Sequence, residues 1–113
     1  MKQVDKIKLD ELKEMSKKMH GSMVKAVVDV QKKLVVVDAD LHVDEEQMLL
    51  ESGSSQQDLW GINLWPENYG KDNFIEYDSM INIRPSQNNP SRSVESAETR
   101  KQIEQIVNEV VHE

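Results

Sequence analysis

The chain has 113 residues and a mass of 13.0 kDa, which suits one domain and leaves no room for a second independent core. It contains no cysteine, which excludes a disulfide framework, a thiolate zinc site and a cysteine nucleophile. Its net charge of -7 is too small for this length to force disorder, and its acidic sign disfavours nucleic acid, whose affinity comes mainly from phosphate neutralisation.

The charge changes sign along the chain. Residues 1–33 hold nine Lys against five acids, +4; residues 34–83 hold one Lys against eleven acids, -10; residues 84–113 hold four bases against five acids, -1. The amino terminus, Met1-Lys2-Gln3-Val4-Asp5, lacks an apolar stretch, so no signal peptide is expected, and no apolar run approaches the roughly 20 residues that span a bilayer. Both point to a cytoplasmic protein without a membrane partner.

Val4 and Ile7 are candidates for a short first strand. Leu9, Leu12, Met15 and Met19 recur at helical spacing, with Asp10 as N-cap and Gly21 at the C-terminal end. The exposed Lys13, Lys17 and Lys18 read as a solvated helix surface. Met23–Val30 and Leu34–Val37 are rich in β-branched residues and form two strands joined by a tight turn at Gln31-Lys32-Lys33. Asp44 with Gln47 three residues on, and Val43 opposite Met48, predict a capping box and staple opening a helix through Glu51. Trp60, Ile62 and Leu64 alternate with Gly61, Asn63 and Trp65 as a strand, stopped by Pro66.

A long strand follows, with Ile75, Tyr77, Ile81 and Ile83 on the core face and Phe74, Glu76, Asp78, Met80, Asn82 and Arg84 on the other. Pro85–Ser93 is a polar loop. Ile103, Ile106, Val107, Val110 and Val111 mark the inner face of a last helix that starts near Ser93 or Ser96. The expected fold is α+β, one domain over residues 1–113, with a mainly antiparallel four-stranded sheet and about three helices packed mostly on one face.

Several segments stand out: Val24–Val30, Leu41–Glu46, Gly53-Ser54, Gln57-Asp58-Leu59-Trp60-Gly61-Ile62-Asn63, Ile75–Pro85 with its Ile-Asn-Ile-Arg-Pro ending, and Ser91-Arg92. With these the chain resembles a family of small bacterial and archaeal proteins known as a domain of unknown function. The resemblance spans nearly the whole chain. It implies a single compact domain and brings no activity, cofactor or catalytic residue.

Three constellations have the residue types that chemistry needs. Asp38, Asp40, His42 and Asp44 alternate at a strand exit, with Glu45 next to them; Asp40 and His42 are candidate ligands of a divalent cation, against the plainer reading of a turn and a helix cap. Arg84, Asn88, Asn89 and Arg92, with Asn82 and Asp58, form an array of donors and acceptors suited to a phosphate, a carboxylate or another ligand. The plainer reading pairs Arg84 with Glu76 or Asp78 and turns the Asn side chains to their own backbone. Trp65, Phe74 and Met80 are candidates for an interaction surface, including a homodimer through the outer sheet face. His20 and His112 sit near helix ends and receive no role.

No P-loop, nucleophile elbow or glycine-rich dinucleotide fingerprint occurs. The reading favoured is a ligand- or protein-binding domain without catalytic activity, its cofactor unassigned. The alternative is a small metal-dependent hydrolase or nuclease-like enzyme using residues 38–46 with Arg84 and Arg92. A nucleic-acid role through Lys13, Lys17, Lys18, Lys32 and Lys33 is the least favoured.

Overall fold

The computed structural model describes residues 1–18 and 22–113. Strand β3 (Val24–Asp29) lies at the centre of the sheet, antiparallel to β4 (Leu34–Val37) on one side and β5 (Leu59–Leu64) on the other. Its register runs from Ala26 opposite Val37 to Asp29 opposite Leu34, and from Val24 opposite Leu64 to Asp29 opposite Leu59. Asp29 closes the β3–β4 turn. Its Oδ1 accepts the N–H groups of Gln31 and Lys32, both at 2.9 Å, and this supports Lys33 at φ 59°. Its Oδ2 accepts the Ser54 hydroxyl at 2.6 Å, so a wholly buried carboxylate is satisfied on both oxygens.

Among the described residues the sheet has five strands, one more than expected, because β1 (Lys2–Val4) adds antiparallel outside β4 and β6 (Ile75–Glu76) outside β5. The predicted first strand is split at Asp5-Lys6. Beyond the break, β2 (Ile7–Lys8) pairs in parallel with β7 (Val111–His112) and ties the two ends of the chain together.

Strand alternation assigns the two faces. Val24, Ala26, Val28, Val35, Val37, Trp60, Ile62 and Leu64 form the larger core with Leu12 and Met15 of α1 (Leu9–Lys18) and Ile103, Ile106, Val107 and Val110 of α3 (Ala97–Val110). The opposite face presents Val27, Val36 and Leu59, covered by Leu49 of α2 (His42–Glu51), with Met48, Leu50 and Ile81 around them. Two helices thus share one face and the third takes the other. Among the described residues, no helix is long and apolar enough to cross a membrane.

Helix α3 begins as expected, with the Ser96 hydroxyl accepting the Thr99 N–H at 3.2 Å. The other two helix starts differ. α1 follows directly on β2 at Leu9, so Asp10 lies inside its first turn and is not the cap; Met19, His20 and Gly21 fall outside the described residues. α2 begins at His42, two residues before the predicted cap. Leu41 is its N-cap and makes no side-chain cap bond, and Val43 is 50% exposed, so neither capping box nor staple forms. Glu45 fixes this entry instead, its Oε2 accepting the Ala39 N–H at 3.1 Å after Asp38 at φ 70°.

The predicted long strand is also overturned. Only Ile75–Glu76 is strand; Met80–Asn82 and Pro85–Gln87 are 3-10 turns. Pairing ends because the chain crosses over β5 at Gly61, where a Cβ would lie 2.6 Å from both Cβ and Oγ of Ser79. Only glycine leaves room for that approach.

Candidate functional site

Residues 79–95 form a polar knot on the outer edge of β5. Asn82, wholly buried, accepts the Gly61 N–H on Oδ1 at 2.9 Å and donates from Nδ2 to the carbonyls of Gly61 and Arg92, each at 3.0 Å. One side chain therefore supplies both halves of the strand pairing that β6 no longer provides. Asn89 donates to the carbonyls of Asn82 and Ser93 at 2.7 Å and accepts the Glu95 N–H at 2.9 Å, closing the loop from within.

Arg84 reaches round the same edge. It donates to the carbonyls of Gln56 and, at 2.7 Å, Leu59, and its guanidinium lies 4.2 Å from the Trp60 ring centroid. Burial lowers its pKa, opposed by the carboxylates of Glu46 and Asp58. Its Nε is buried without a partner among the described residues. The expected pairing of Arg84 with Glu76 or Asp78 does not form, because the strand that would align them has already ended. Asp78 instead accepts Arg92 Nε at 2.7 Å, with the Arg92 head against Met80 Sδ. The two guanidinium groups do not converge: one is engaged on Trp60 and the other on Asp78.

Three of the six ligand-binding candidates do meet. Asp58, Asn88 and Asn89 line a groove of about 660 Å³ between the 84–89 turn and the start of α3, together with Gln57, Gln87 and Thr99. Arg84, Asn82 and Arg92 are not among its lining residues. Asn88 stands at the tip of the turn in the left-handed region, φ 59° and ψ 29°, with its side chain exposed. Gln87 Nε2 donates to the Gln57 carbonyl at 3.1 Å and bridges the two rims. Among the described residues, the groove's charges are the carboxylates of Asp58 and Glu95, and no basic residue lines it.

A second polar layer lies beneath α2. His42, Glu45, Glu46 and Leu49 are its buried residues, while Leu41 and Val43 are 56% and 50% exposed. His42 Nε2 donates to the Ile62 carbonyl at 2.8 Å, which requires the tautomer protonated at Nε2. Burial lowers its pKa, aided by Lys25 and opposed by the Ile62 hydrogen bond, Asn63 and Asp78. Burial pushes the Glu45 carboxyl up to about 9, against the Ala39 hydrogen bond, Lys25 and the amino terminus, so at neutral pH both side chains are uncharged. Asn63 donates to Glu76 Oε1 at 2.9 Å. Glu45 Oε1, Glu46 Oε2 and Asn63 Oδ1 lack partners among the described residues.

Asp40 and His42 are not brought together. Asp40 is exposed in a separate groove with Asp38, Asp44 and Glu51, whereas His42 turns inward to the sheet. Among the described residues, no group of three or more His, Asp or Glu side chains is placed to hold a metal ion. Phe74 is corrected as an interaction residue: standing before β6, it packs into the larger core, edge-to-face with Tyr69 at 5.2 Å between centroids. Phe74 and Met80 therefore do not share one strand face: Phe74 is buried, and Met80 lies in the 80–82 turn. Met80 is 66% exposed, and Trp65 is half-buried with its Nε1–H on Glu76 Oε1 at 3.2 Å.

The sequence reading places Glu45 with the strand-exit acids and Asn63 on a strand as a pairing or pocket residue, and gives no role to Glu46, Lys25, Gln57 or Thr99. Spacing did hold a signal for α2, since 42, 45, 46 and 49 fall at i, i+3, i+4 and i+7 and share a face. The groove-lining Gln57 and Thr99 are brought together only by the fold. Neither the curated proteins nor the solved structures contain a match to the chain. A family model does match, over residues 3–110, and the chain belongs to that family of proteins of unknown function, DUF5674.

Proposed function

We propose that this chain is a small cytoplasmic binding module without catalytic activity, which takes a neutral or basic ligand rich in amide or hydroxyl groups in the groove beside the 84–89 turn. The observation that carries this reading is a division of labour within the turn. Arg84 and Asn89 are engaged by hydrogen bonds to the carbonyls of Leu59, Asn82 and Ser93 and hold its backbone, while Gln87 and Asn88 line the groove beside Asp58. A turn held from behind presents its side chains without an ordering cost at the moment of binding. Amides and hydroxyls line most of the groove; they hold ligands by hydrogen bonds and do not exchange protons at neutral pH. The carboxylates of Asp58 and Glu95 favour a basic group and oppose a phosphate.

A fragment screen read by amide resonances tests this. The expected hits are neutral and basic fragments that shift Gln57, Asp58, Asn88 and Thr99. Asn88→Gly, which suits the left-handed backbone and keeps the turn, should weaken them at least fivefold. Hits that are mainly anions, that avoid the groove, or that survive Asn88→Gly would overturn the reading.

A further inference from the structure

Of the chain's five aromatic residues, four line two adjoining grooves between the 65–77 segment and α3: Trp65, Tyr69 and Tyr77 are half-buried there, and Phe74 reaches them from the core. A groove of about 480 Å³ is lined by Tyr69, Phe74 and Tyr77 with Asp72, Glu104 and Asn108. A second, of about 540 Å³, is lined by Trp65 and Tyr77 with Asn68, Asp72 and Asn73. They share Asp72, Ile75 and Tyr77, and so form one trough. We propose that this trough, between the 65–77 segment and α3, is a binding site for a neutral carbohydrate.

Three features of the trough select that ligand. Pyranose rings present C–H faces of slight positive charge to the negative faces of aromatic rings, and half-buried Trp65, Tyr69 and Tyr77 line the trough. Vicinal hydroxyls pair with planar amide and carboxylate groups. The side chains of Asn68, Asp72, Asn73, Glu104 and Asn108 bear no hydrogen bond to the protein among the described residues, in contrast to Asn63, Asn82 and Asn89, which are all engaged. The lining charges are mixed, with Asp72, Glu76 and Glu104 against Lys71 and Arg100, which suits an uncharged ligand and repels a polyanion.

A proline-rich peptide is the competing occupant of an aromatic groove, but it needs ring-borne donors for its carbonyls. Here those donors are taken: the Trp65 Nε1–H by Glu76 and the Tyr77 hydroxyl by the Arg100 carbonyl at 3.2 Å. The Arg100 guanidinium, 4.5 Å from the Tyr77 centroid, covers one face of that ring, and its Nε is bonded to the Val94 carbonyl. Trp65 and Tyr69 therefore supply the platforms for the sugar, and Tyr77, held by Arg100, lines both grooves between them.

The test is titration of the full chain with maltohexaose, cellohexaose, and the methyl glycosides of glucose, galactose, mannose and N-acetylglucosamine, followed by the Trp65 indole signal and the amides of residues 65–77 and 100–108. At least one sugar should give saturable shifts with a Kd of about 1–10 mM, the range of a shallow site. Asp72→Ala, an exposed change, and Tyr69→Ala should each raise that Kd at least fivefold, while Asn88→Gly leaves it unchanged, which separates this site from the groove beside the 84–89 turn. No shift with any of these sugars up to 50 mM, shifts elsewhere in the chain, binding indifferent to Asp72→Ala in a folded variant, or a response to a decaproline peptide alone would overturn the proposal.

Discussion

Asn82 and Gly61 act as a pair. In most sheets an edge strand is relieved by another strand or by water, yet at Gly61 both backbone groups are met by one side-chain amide, and the strand above is replaced by the 79–82 turn. The absence of a Cβ is what lets Ser79 approach. Gly61→Ala should therefore push the turn off β5 and destabilise the fold by about 1–3 kcal/mol, the usual cost of overpacking. Ser79→Gly in the same chain should recover part of that loss, because Ser79 Cβ and Oγ are the nearest obstacles. Urea unfolding of the two single variants and the double variant checks this; strictly additive losses would show that the contact is not the cause.

At the scale of elements, α2 is unusual in burying acids and exposing Leu41 and Val43. Its two buried titratable groups act on stability with opposite sign. The unfolded chain releases the Glu45 proton above about 4.5, whereas the fold holds it up to about 9, so stability falls as pH rises across that interval. His42 is pushed below 6.5, so as pH falls through 6.5 the unfolded chain takes a proton that the fold resists, and stability falls in that direction. Each slope reaches at most about 1.4 kcal/mol per pH unit. The His42 slope opposes the Glu45 slope just below 6.5 and only the Glu45 slope acts above it, so the decline with pH should be shallower in mild acid than toward pH 9. Glu45→Gln retains an acceptor for Ala39 and removes the ionisation. It should raise stability at pH 8 by on the order of 2 kcal/mol, flatten the alkaline decline and leave the His42 slope visible below 6.5. Urea midpoints from pH 5 to 9 measure this; an unchanged alkaline decline in the Gln variant would assign it elsewhere.

At the scale of the molecule, β2 and β7 close the larger core by pairing Ile7 with Val111, both buried, while Lys6 Nζ reaches the Glu109 carbonyl at 2.5 Å. Residues about a hundred positions apart thus seal the edge of the core beside α1 and α3. Ile7→Ala and Val111→Ala should each cost about 1–4 kcal/mol, and together less than the sum by about 1 kcal/mol, because either one alone already opens the contact. Thermal unfolding of the three variants decides it; exact additivity would mean that the two side chains do not support one another.

What the sequence determined by itself was local. The β3–β4 hairpin, β5 and α3 follow from β-branched runs, strict alternation and a 3.6-residue period, and the Ile-Asn-Ile-Arg-Pro stretch stands out in the sequence. The ligand-binding candidates Asp58, Asn82, Arg84, Asn88, Asn89 and Arg92, however, read in the sequence as one array of donors and acceptors. The tertiary structure divided them: Asn82, Asn89 and Arg84 turn inward to satisfy backbone groups of β5 and its approach, Arg92 pairs with Asp78, and Asn88 with Asp58 remains on a groove. The physical reason is that a side chain's partner is set by which unsatisfied backbone groups the fold brings within 3 Å of it. Gly61 and Asn82 lie 21 residues apart, and no spacing along the chain announces that they meet. The same holds for Phe74, which alternation places outward only if it belongs to the strand; β6 begins at Ile75, so Phe74 stands before it and its ring packs into the core.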